Sequence, residues 1–209
     1  MVAGVNLVMA EQRSFLSGTP GVPEGFAYVA DFLAVAEEAG LLNEIGRLEF
    51  HEVKMRGVVA KRRVIHYGVH YSFETFKASP GPPIPAFLLP LRERAGAFGG
   101  VSGAQLEEAL ITHYSPGASI GWHRDAHPFD IVIGISLLSR ARFRFRRGKV
   151  RAWEMTEFPL EPRSAYVLTG PARTDWEHSI PEAKELRYSI TFRTLRKPVA
   201  ALLQGPERE

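Results

Sequence analysis

The chain has 209 residues, 45% of them hydrophobic, which is enough for the core of one globular domain, and we predict a single domain over residues 1–209. It contains no cysteine, which excludes disulfides, thiolate zinc sites, iron–sulfur clusters and a cysteine nucleophile, so any metal must be bound by His, Asp or Glu. The formal net charge of +3 permits a nucleic-acid partner but does not require one.

The N-terminal residues have no basic segment followed by an apolar one, so we expect no signal peptide. No apolar stretch is long enough to cross a bilayer. The absence of cysteine fits a reducing compartment. We therefore expect a cytoplasmic protein without a membrane partner, and we expect it to be a monomer.

The first elements combine a helix with hairpins. Apolar residues at helical spacing over 31–50, with Asp31 as a candidate N-cap, predict one helix or two short ones packed on a sheet. β-Branched and aromatic residues over 51–78 predict one or two hairpins. A proline-rich connector at 80–85 and a short helix over 86–98 follow.

From Ala109 to Arg193 the chain is a series of short strand patterns separated by proline, glycine or charged turns. Such a density of short strands is typical of a β-sandwich or a jelly roll. We predict a mainly β fold with flanking helices (α+β). Its double-stranded β-helix, or jelly-roll, core covers about 104–197, and an N-terminal helical layer covers about 26–50.

One predicted strand carries two groups that can bind a metal. His123 and Asp125 are two positions apart, so on a strand both side chains point to one face, and Trp122 points to the other, toward a core. For these residues alone, a hydrogen-bonded His–Asp pair is the simpler interpretation. His178, on a late strand of the same predicted sandwich, supplies a third ligand. Such a set forms the facial triad of non-haem Fe(II) oxygenases, and zinc in a hydrolase can use the same ligands.

The segment RYSITFR (187–193) favours the oxygenase. On a strand its polar residues share one face, and these are Arg187, Ser189, Thr191 and Arg193. Buried guanidinium groups require anionic partners. A dicarboxylate that chelates iron with one end and meets an arginine with the other would satisfy them, and 2-oxoglutarate has this chemistry. The alternative is that both arginines lie on an exposed face, but the order of the three segments argues against it.

The chain resembles the AlkB family of Fe(II)- and 2-oxoglutarate-dependent nucleic-acid dealkylating oxygenases from about Phe26 to Arg196, most strongly in HYSPGASIGWHRDAH, GPARTDWEHSIP and RYSITFR. The resemblance implies Fe(II), 2-oxoglutarate and O2 as cofactors. The iron ligands that it implies are His123, Asp125 and His178. The residues that it implies at 2-oxoglutarate are Arg187 at the distal carboxylate, Arg193 near the proximal carboxylate and Asp125, and Tyr114 as a hydrogen-bond partner.

The chain departs from this family at two positions. The family often has Asn two residues before the tyrosine, where this chain has Thr112, and many members have Asn in the arginine strand, where it has Ser189. Both replacements keep a hydrogen-bonding group with a shorter reach. We assign both residues to the 2-oxoglutarate site, and the replacements bear on the cosubstrate contacts and on the substrate class.

The segment AKRRVIHYGVHYSF resembles the substrate lid of the family's DNA-repair members, and we assign about 51–80 to a nucleotide-recognition lid. In those members an aromatic residue stacks on the flipped base. Tyr71 or Phe73 could fill this role, with ordinary core packing as the alternative for each. Arg62 and Arg63 could contact phosphate.

Two further features are candidates for substrate binding. Trp176 shares a strand face with His178, so it lines the pocket or packs in the core. The segment RARFRFRR would, as a strand, turn three arginines to one face and two phenylalanines inward. The arginines could follow a phosphate backbone, or they could form a solvated outer face.

The resemblance implies oxidative demethylation of N-alkylated bases of the 1-methyladenine and 3-methylcytosine type, in DNA and also in RNA, with conversion of 2-oxoglutarate to succinate and release of formaldehyde. Because a methyl on a base-pairing edge is hidden in a duplex, the partner would be a single-stranded or flipped-base nucleic acid. One alternative is an oxygenase of the same fold that hydroxylates or demethylates a tRNA base, a protein or a small molecule. The other is a binding module with a structural metal, against which the complete ligand set and both arginines argue.

Overall fold

The computed structural model describes residues 21–55, 57–72 and 77–196. These residues form two antiparallel β-sheets with helices on one side, which confirms the predicted mainly β fold. The helices are α1 (Val35–Ile45), α2 (Leu89–Gly99) and the single turn α3 (Gly170–Thr174). The strands are β1 (Phe26–Val29), β2 (His51–Met55), β3 (Val58–Ser72), β4 (Lys77–Pro80), β5 (Leu106–Tyr114), β6 (Ile120–His123), β7 (Phe129–Leu137), β8 (Ala141–Lys149), β9 (Ala152–Leu160), β10 (Ala165–Leu168), β11 (Glu177–Ile180) and β12 (Arg187–Leu195).

Within the described residues, the major sheet has the strand order β1–β10–β7–β12–β5–β3–β2, and β4 pairs with β3. The minor sheet has the order β6–β11–β8–β9. In the major sheet, β12 lies between β5 and β7 over almost its whole length. The central strands are therefore covered on both faces, by the helices on one side and by the minor sheet on the other.

Side-chain alternation divides the core into two layers. On the helix side, apolar residues such as Ile111, Ile190 and Phe192 are fully buried together with residues of α1 and α2. Between the sheets, Phe143 and Phe145 of β8 pack against Phe26. Because alternate residues of β5 and β12 point to opposite faces, the polar residues of these strands face the space between the sheets.

The N-terminal layer differs from the predicted one. Segment 26–50 contains one helix, the first of the two predicted alternatives, but it starts at Val35 rather than at Asp31. Asp31 has a φ of 49°, which is not a helical conformation, and Ala34 takes the N-cap position with its N–H donating to the Glu37 carboxylate at 2.8 Å. The segment also contains β1, which pairs with β10.

The predicted hairpins at 51–78 are present as β2, β3 and β4. The long strand β3 pairs first with β5, up to Gly68, and then with β4 from Val69. Gly68 has a φ of +77°, and a Cβ there would lie 2.0 Å from the Glu107 carbonyl oxygen, so a glycine is required where the strand leaves the major sheet. The short helix predicted at 86–98 consists of a 3₁₀ turn, Ala86–Leu88, followed by α2. Among the described residues, no helix is both long and apolar enough to span a membrane.

Candidate active site

The structure brings the three candidate metal ligands together at one end of the minor sheet. His123 ends β6, and His178 lies directly opposite on β11, with the two ring centroids 4.4 Å apart. Asp125 follows β6 by two residues and approaches from the same side. One ligand atom from each of the three residues lies within 4.8 Å of the other two. Sequence spacing predicted the first pair, and the pairing of β6 with β11 adds the third residue.

The orientation of each ligand leaves one metal-binding atom available. His123 Nδ1–H donates to the Gly121 carbonyl at 2.9 Å, so its Nε2 carries the lone pair. Asp125 Oδ1 accepts hydrogen bonds from Arg193, whereas Oδ2 is buried and has no hydrogen-bond partner among the described residues. This Oδ2 lies 3.5 Å from His178 Nε2. A buried carboxylate oxygen without a donor beside two imidazoles fits a divalent cation such as Fe(II).

The protonation states also fit a cation. Burial and the neighbouring His123 lower the pKa of His178 to about 3, so its imidazole is neutral at pH 7. Burial raises the pKa of Asp125, but the Arg193 guanidinium outweighs this effect and holds the pKa well below its usual value. Asp125 is therefore ionised and offers a cation one negative charge beside the neutral imidazole of His178.

The other end of the cavity has an arginine whose charge is not neutralised. Arg187 is 1% exposed, and its Nε donates to Ser136 Oγ at 3.3 Å. Its Nη1 is buried without a hydrogen-bond partner among the described residues. The guanidinium carbon lies 4.8 Å from the centre of the Tyr114 ring, because Arg187 and Tyr114 are opposite each other on β12 and β5. An unsatisfied buried guanidinium requires an anion, and a carboxylate of 2-oxoglutarate would supply it.

Thr112 and Ser189, where the chain departs from the family pattern, are neighbours. They pair across β5 and β12, and both line the cavity between its metal end and Arg187. Ser189 in turn pairs with Ser136 on β7. The structure thus places three hydroxyl-bearing residues side by side in the major sheet, and two of them, Thr112 and Ser189, line the cavity.

Sequence interpretation missed the carboxylate that accompanies Arg193. Arg193 Nη1 donates to Glu108 Oε2 at 2.6 Å, and the same guanidinium donates to Asp125, so Arg193 joins two carboxylates. Glu108 is 1% exposed, and its Oε1 lies 3.0 Å from His66 Nδ1. The signal was present in the chain, since Glu108 has the same strand parity as Leu110, Thr112 and Tyr114.

Tyr166 is a second cavity residue that the sequence did not reveal. It lies on β10 opposite Gly134 of β7, where a Cβ would lie 2.2 Å from the tyrosine ring. Burial and the nearby Asp125 raise the pKa of Tyr166, so the phenol stays protonated. The available signal was Gly134 itself, because a glycine inside an apolar strand marks a close approach.

The described lid residues lie on β3, next to β5 in the major sheet, and none of them lines the cavity. Arg62 is partly buried and donates weakly to the Ser119 carbonyl at 3.5 Å. Arg63 is exposed and pairs with His113 on β5. Tyr71 packs edge-on against Phe129, with 6.3 Å between ring centroids, and Phe73 lies outside the described residues.

Of the two interpretations of Trp176, the structure supports packing in the core, and the expectation that Trp122 points into a core is wrong. Trp176 does not line the cavity: it is 3% exposed and packs against Phe145, with the Arg147 guanidinium over its ring. Trp122 does not point into the core, because it is only partly buried and the guanidinium groups of two β8 arginines lie over its ring. A strand face predicts which side a residue points to, but not which neighbours cover it.

Arg142, Arg144 and Arg146 lie on the outer face of β8, as the alternation predicts, whereas Arg147 has the parity of Phe145 and its guanidinium lies over the Trp176 ring. Three arginines on this strand form ion pairs with glutamates of neighbouring strands, and the pairs are Arg142–Glu157 at 2.8 Å, Arg146–Glu177 at 2.6 Å and Arg147–Glu154 at 2.6 Å. Arg144 donates to Ser179 Oγ at 3.2 Å. These partners neutralise much of the positive charge and favour a solvated outer face over a track for phosphates.

Comparison with known proteins gives a consistent result. A family model described as the 2OG-Fe(II) oxygenase superfamily matches residues 27–193. The solved structure of OsALKBH1 aligns with a TM-score of 0.64 at 15% identity, over 83% of this chain and 97% of that one. At this identity the likeness shows the fold alone, and it confirms the predicted jelly roll.

The names of three curated relatives refer to DNA or tRNA. The "Alkylated DNA repair protein ALKBH8 homolog" of Arabidopsis thaliana is 29% identical over 184 residues, which are 77% of this chain and 51% of that protein. "DNA oxidative demethylase ALKBH2" of Homo sapiens is 32% identical over 142 residues, 61% of this chain and 53% of that protein. The "tRNA (carboxymethyluridine(34)-5-O)-methyltransferase ALKBH8" of Mus musculus is 26% identical over 174 residues, 80% of this chain and 26% of that protein. The chain thus spans about half the length of the first two relatives.

Proposed function

Because the chain belongs to the 2OG-Fe(II) oxygenase superfamily and is AlkB-like, we propose that it is an Fe(II)- and 2-oxoglutarate-dependent dioxygenase that removes N-methyl groups from nucleic-acid bases. One observation carries the proposal. A single cavity has three converging metal ligands at one end and, at the other, the buried guanidinium of Arg187, which has no anionic partner among the described residues. A dicarboxylate cosubstrate that binds the metal accounts for both ends at once.

The residues of the cavity have separate roles. His123, Asp125 and His178 would hold Fe(II), and Arg187, flanked by Tyr114, would bind the distal carboxylate of 2-oxoglutarate. When bound, Fe(II), 2-oxoglutarate and O2 supply an oxidation that yields succinate and carbon dioxide and hydroxylates the methyl group, which then leaves as formaldehyde.

Part of the cavity wall is apolar and would keep water from the metal site. Phe143, Val132 and Ile180 belong to this part, and all three are buried. A dry wall favours oxidation of a bound substrate over side reactions with solvent.

The lid supports a nucleic-acid substrate. A methylated base must leave its duplex to reach a cavity between two sheets, and such sites read the base by stacking and hydrogen bonds. Tyr71 offers an aromatic ring beside Phe129, and Arg62 and Arg63 offer positive charge on the strand that borders the cavity. Methylated bases of the 1-methyladenine and 3-methylcytosine type are the substrate class that we propose.

The test combines the purified chain with Fe(II), 2-oxoglutarate and air, and with single-stranded oligonucleotides that carry 1-methyladenine or 3-methylcytosine. Intact oligonucleotide mass and succinate are measured together, with His123→Ala as the control. We expect loss of one methylene unit per succinate formed, and neither change in the variant. Succinate without a change in oligonucleotide mass would reject these substrates but keep the oxygenase.

A second candidate is oxidation of a modified tRNA base. The two relatives named ALKBH8 match 77% and 80% of this chain, whereas the human ALKBH2 matches 61%. We would offer anticodon stem-loops with carboxymethyluridine derivatives at position 34. A mass gain of one oxygen would favour this candidate, whereas demethylation would leave the base lighter.

A further inference from the structure

Glu108 is a buried carboxylate that the proposed reaction does not use directly. It lies on β5, it is 1% exposed, and its two oxygens have different partners: Arg193 Nη1 at 2.6 Å and His66 Nδ1 at 3.0 Å. Burying a carboxylate is costly unless its charge is compensated. Its position opposite Arg193 in the β5–β12 register places it directly behind the metal site.

Arg193 creates an electrostatic problem at this site. It donates to Asp125 Oδ1 from both Nε and Nη2, at 2.9 and 2.8 Å. Asp125 is the carboxylate among the three candidate ligands, so an uncompensated Arg193 would neutralise the charge that attracts a cation. Glu108 offsets the charge of Arg193. Asp125, Arg193 and Glu108 together carry a net charge of −1, and Asp125 Oδ2 remains without a donor among the described residues.

His66 connects this group to the lid. It lies on β3, two residues before Gly68, where the strand leaves the major sheet. The ring of His70, on the part of β3 that pairs with β4, lies 4.6 Å from the His66 ring in a T-shaped arrangement. A continuous set of contacts therefore runs from Asp125 through Arg193, Glu108 and His66 to the base of the lid.

We propose that Glu108 is a positioning residue for the metal site. It fixes Arg193 and offsets its charge, so that the site keeps a net negative charge for a cation while Asp125 Oδ2 stays free of hydrogen-bond donors among the described residues, and His66 orients Glu108 from the lid strand. The inference rests on the metal site of the proposed function. Groups that orient metal ligands through hydrogen bonds change metal affinity about 10- to 100-fold when removed.

The first experiment measures Mn(II) binding by the full chain from the electron paramagnetic resonance signal of free Mn(II). Glu108→Gln keeps the size of the side chain and removes its charge, and we expect the Kd for Mn(II) to rise about tenfold. Glu107→Gln is the matched control, because it makes the same charge change on the adjacent residue, which points to the opposite face of β5. We expect its Kd to stay within about twofold of the unmodified chain.

A second pair of variants tests His66. His66→Leu removes the contact with Glu108, and His66→Asn keeps a donor near the position of Nδ1. We expect the Kd for Mn(II) to rise about threefold in His66→Leu and to return toward the original value in His66→Asn. The visible absorption of the Co(II)-loaded chain should change in Glu108→Gln and His66→Leu, since it reports the ligand geometry directly.

The outcomes separate this inference from the proposed function. If Glu108→Gln lowers only the melting temperature and leaves the Mn(II) Kd and the Co(II) spectrum unchanged, Glu108 is structural and the inference is overturned. If the unmodified chain binds no Mn(II), the metal site itself fails and the inference fails with it. A raised Kd in Glu108→Gln alongside an unchanged Glu107→Gln supports the inference whether or not methylated oligonucleotides are substrates.

Discussion

Two arginine-bearing strands, β12 and β8, have similar alternating patterns but different surroundings. On β12, Arg187 and Arg193 both face the cavity. Arg187 is 1% exposed, and the Arg193 side chain is largely buried. On β8, Arg142 and Arg147 are exposed and form ion pairs with glutamates of β9. The same residue type thus has a compensated charge on one strand, while Arg187 on the other has no carboxylate partner among the described residues.

The difference shows which arginines indicate a ligand. A surface guanidinium paired with a carboxylate is hydrated, and the pair contributes little free energy. A buried guanidinium without an anion is unfavourable, so its retention indicates an anionic ligand. Arg193 is intermediate, because it is buried but its charge is shared between Asp125 and Glu108. Arg187 is therefore the arginine of the cavity that fits the cosubstrate.

The largest effect is expected at the metal end of the β12 cavity. His178→Ala removes one of three ligands, so we expect no measurable Mn(II) binding and succinate formation at background level. His127→Ala changes an exposed histidine of the loop after Asp125 and serves as the control. Equal Mn(II) binding by both variants would mean that the cation, if any, binds elsewhere.

The next largest effect directly compares the two strands. Arg187→Met removes a charge-assisted hydrogen bond of about 1.5–3 kcal/mol, so the KM for 2-oxoglutarate should rise about 10- to 100-fold. The melting temperature without cosubstrate should not fall, because the variant also removes an unpaired buried charge. Arg142→Met on β8 should leave this KM within about twofold. An unchanged KM in Arg187→Met would exclude Arg187 as the carboxylate partner.

The third prediction compares the stability change caused by Gly→Ala at a packed position beside the cavity and at a solvent-exposed position on α1. Gly134→Ala places a Cβ 2.2 Å from the Tyr166 ring, and such overpacking costs about 1–3 kcal/mol. Gly40→Ala on α1 has no heavy atom within 4 Å of its new Cβ and should instead stabilise by about 0.5–1 kcal/mol. Urea unfolding of both variants measures the two changes. A neutral Gly134→Ala would mean that Tyr166 can move out of the cavity at little cost.

The smallest effect distinguishes the lid arginines from those of β8. Replacing Arg62 and Arg63 by Gln should weaken binding of a methylated single-stranded oligonucleotide several-fold and reduce its salt dependence by about one unit of slope per lost phosphate contact. Replacing Arg142 and Arg147 by Gln should change binding less than about twofold, because glutamates already neutralise them. Fluorescence anisotropy at several salt concentrations measures both. The opposite ranking would locate the nucleic-acid path on the outer face of β8.

Much of the site was predictable because strand periodicity is a local property. The spacing of Arg187, Ser189 and Arg193 fixes a common face, because all three lie on β12. Asp125 lies beyond the end of β6, so it meets His123 through the turn that follows the strand and not through strand alternation. Trp122 shows the limit of this approach, since alternation turned it away from the ligands but could not reveal that arginines of β8 cover it.

The sequence by itself determined the residue types that can bind a metal, their order along the chain and the strand faces that carry them. Tertiary structure decided which of these faces meet. Glu108 and Arg193 are 85 residues apart, and His66 is 42 residues from Glu108, so their contacts depend on the β3–β5–β12 register. Cross-strand pairing also decided which arginines have a neighbouring carboxylate and which, among the described residues, have none. The register of the strands sets the neighbours of a side chain, and local periodicity does not encode that register.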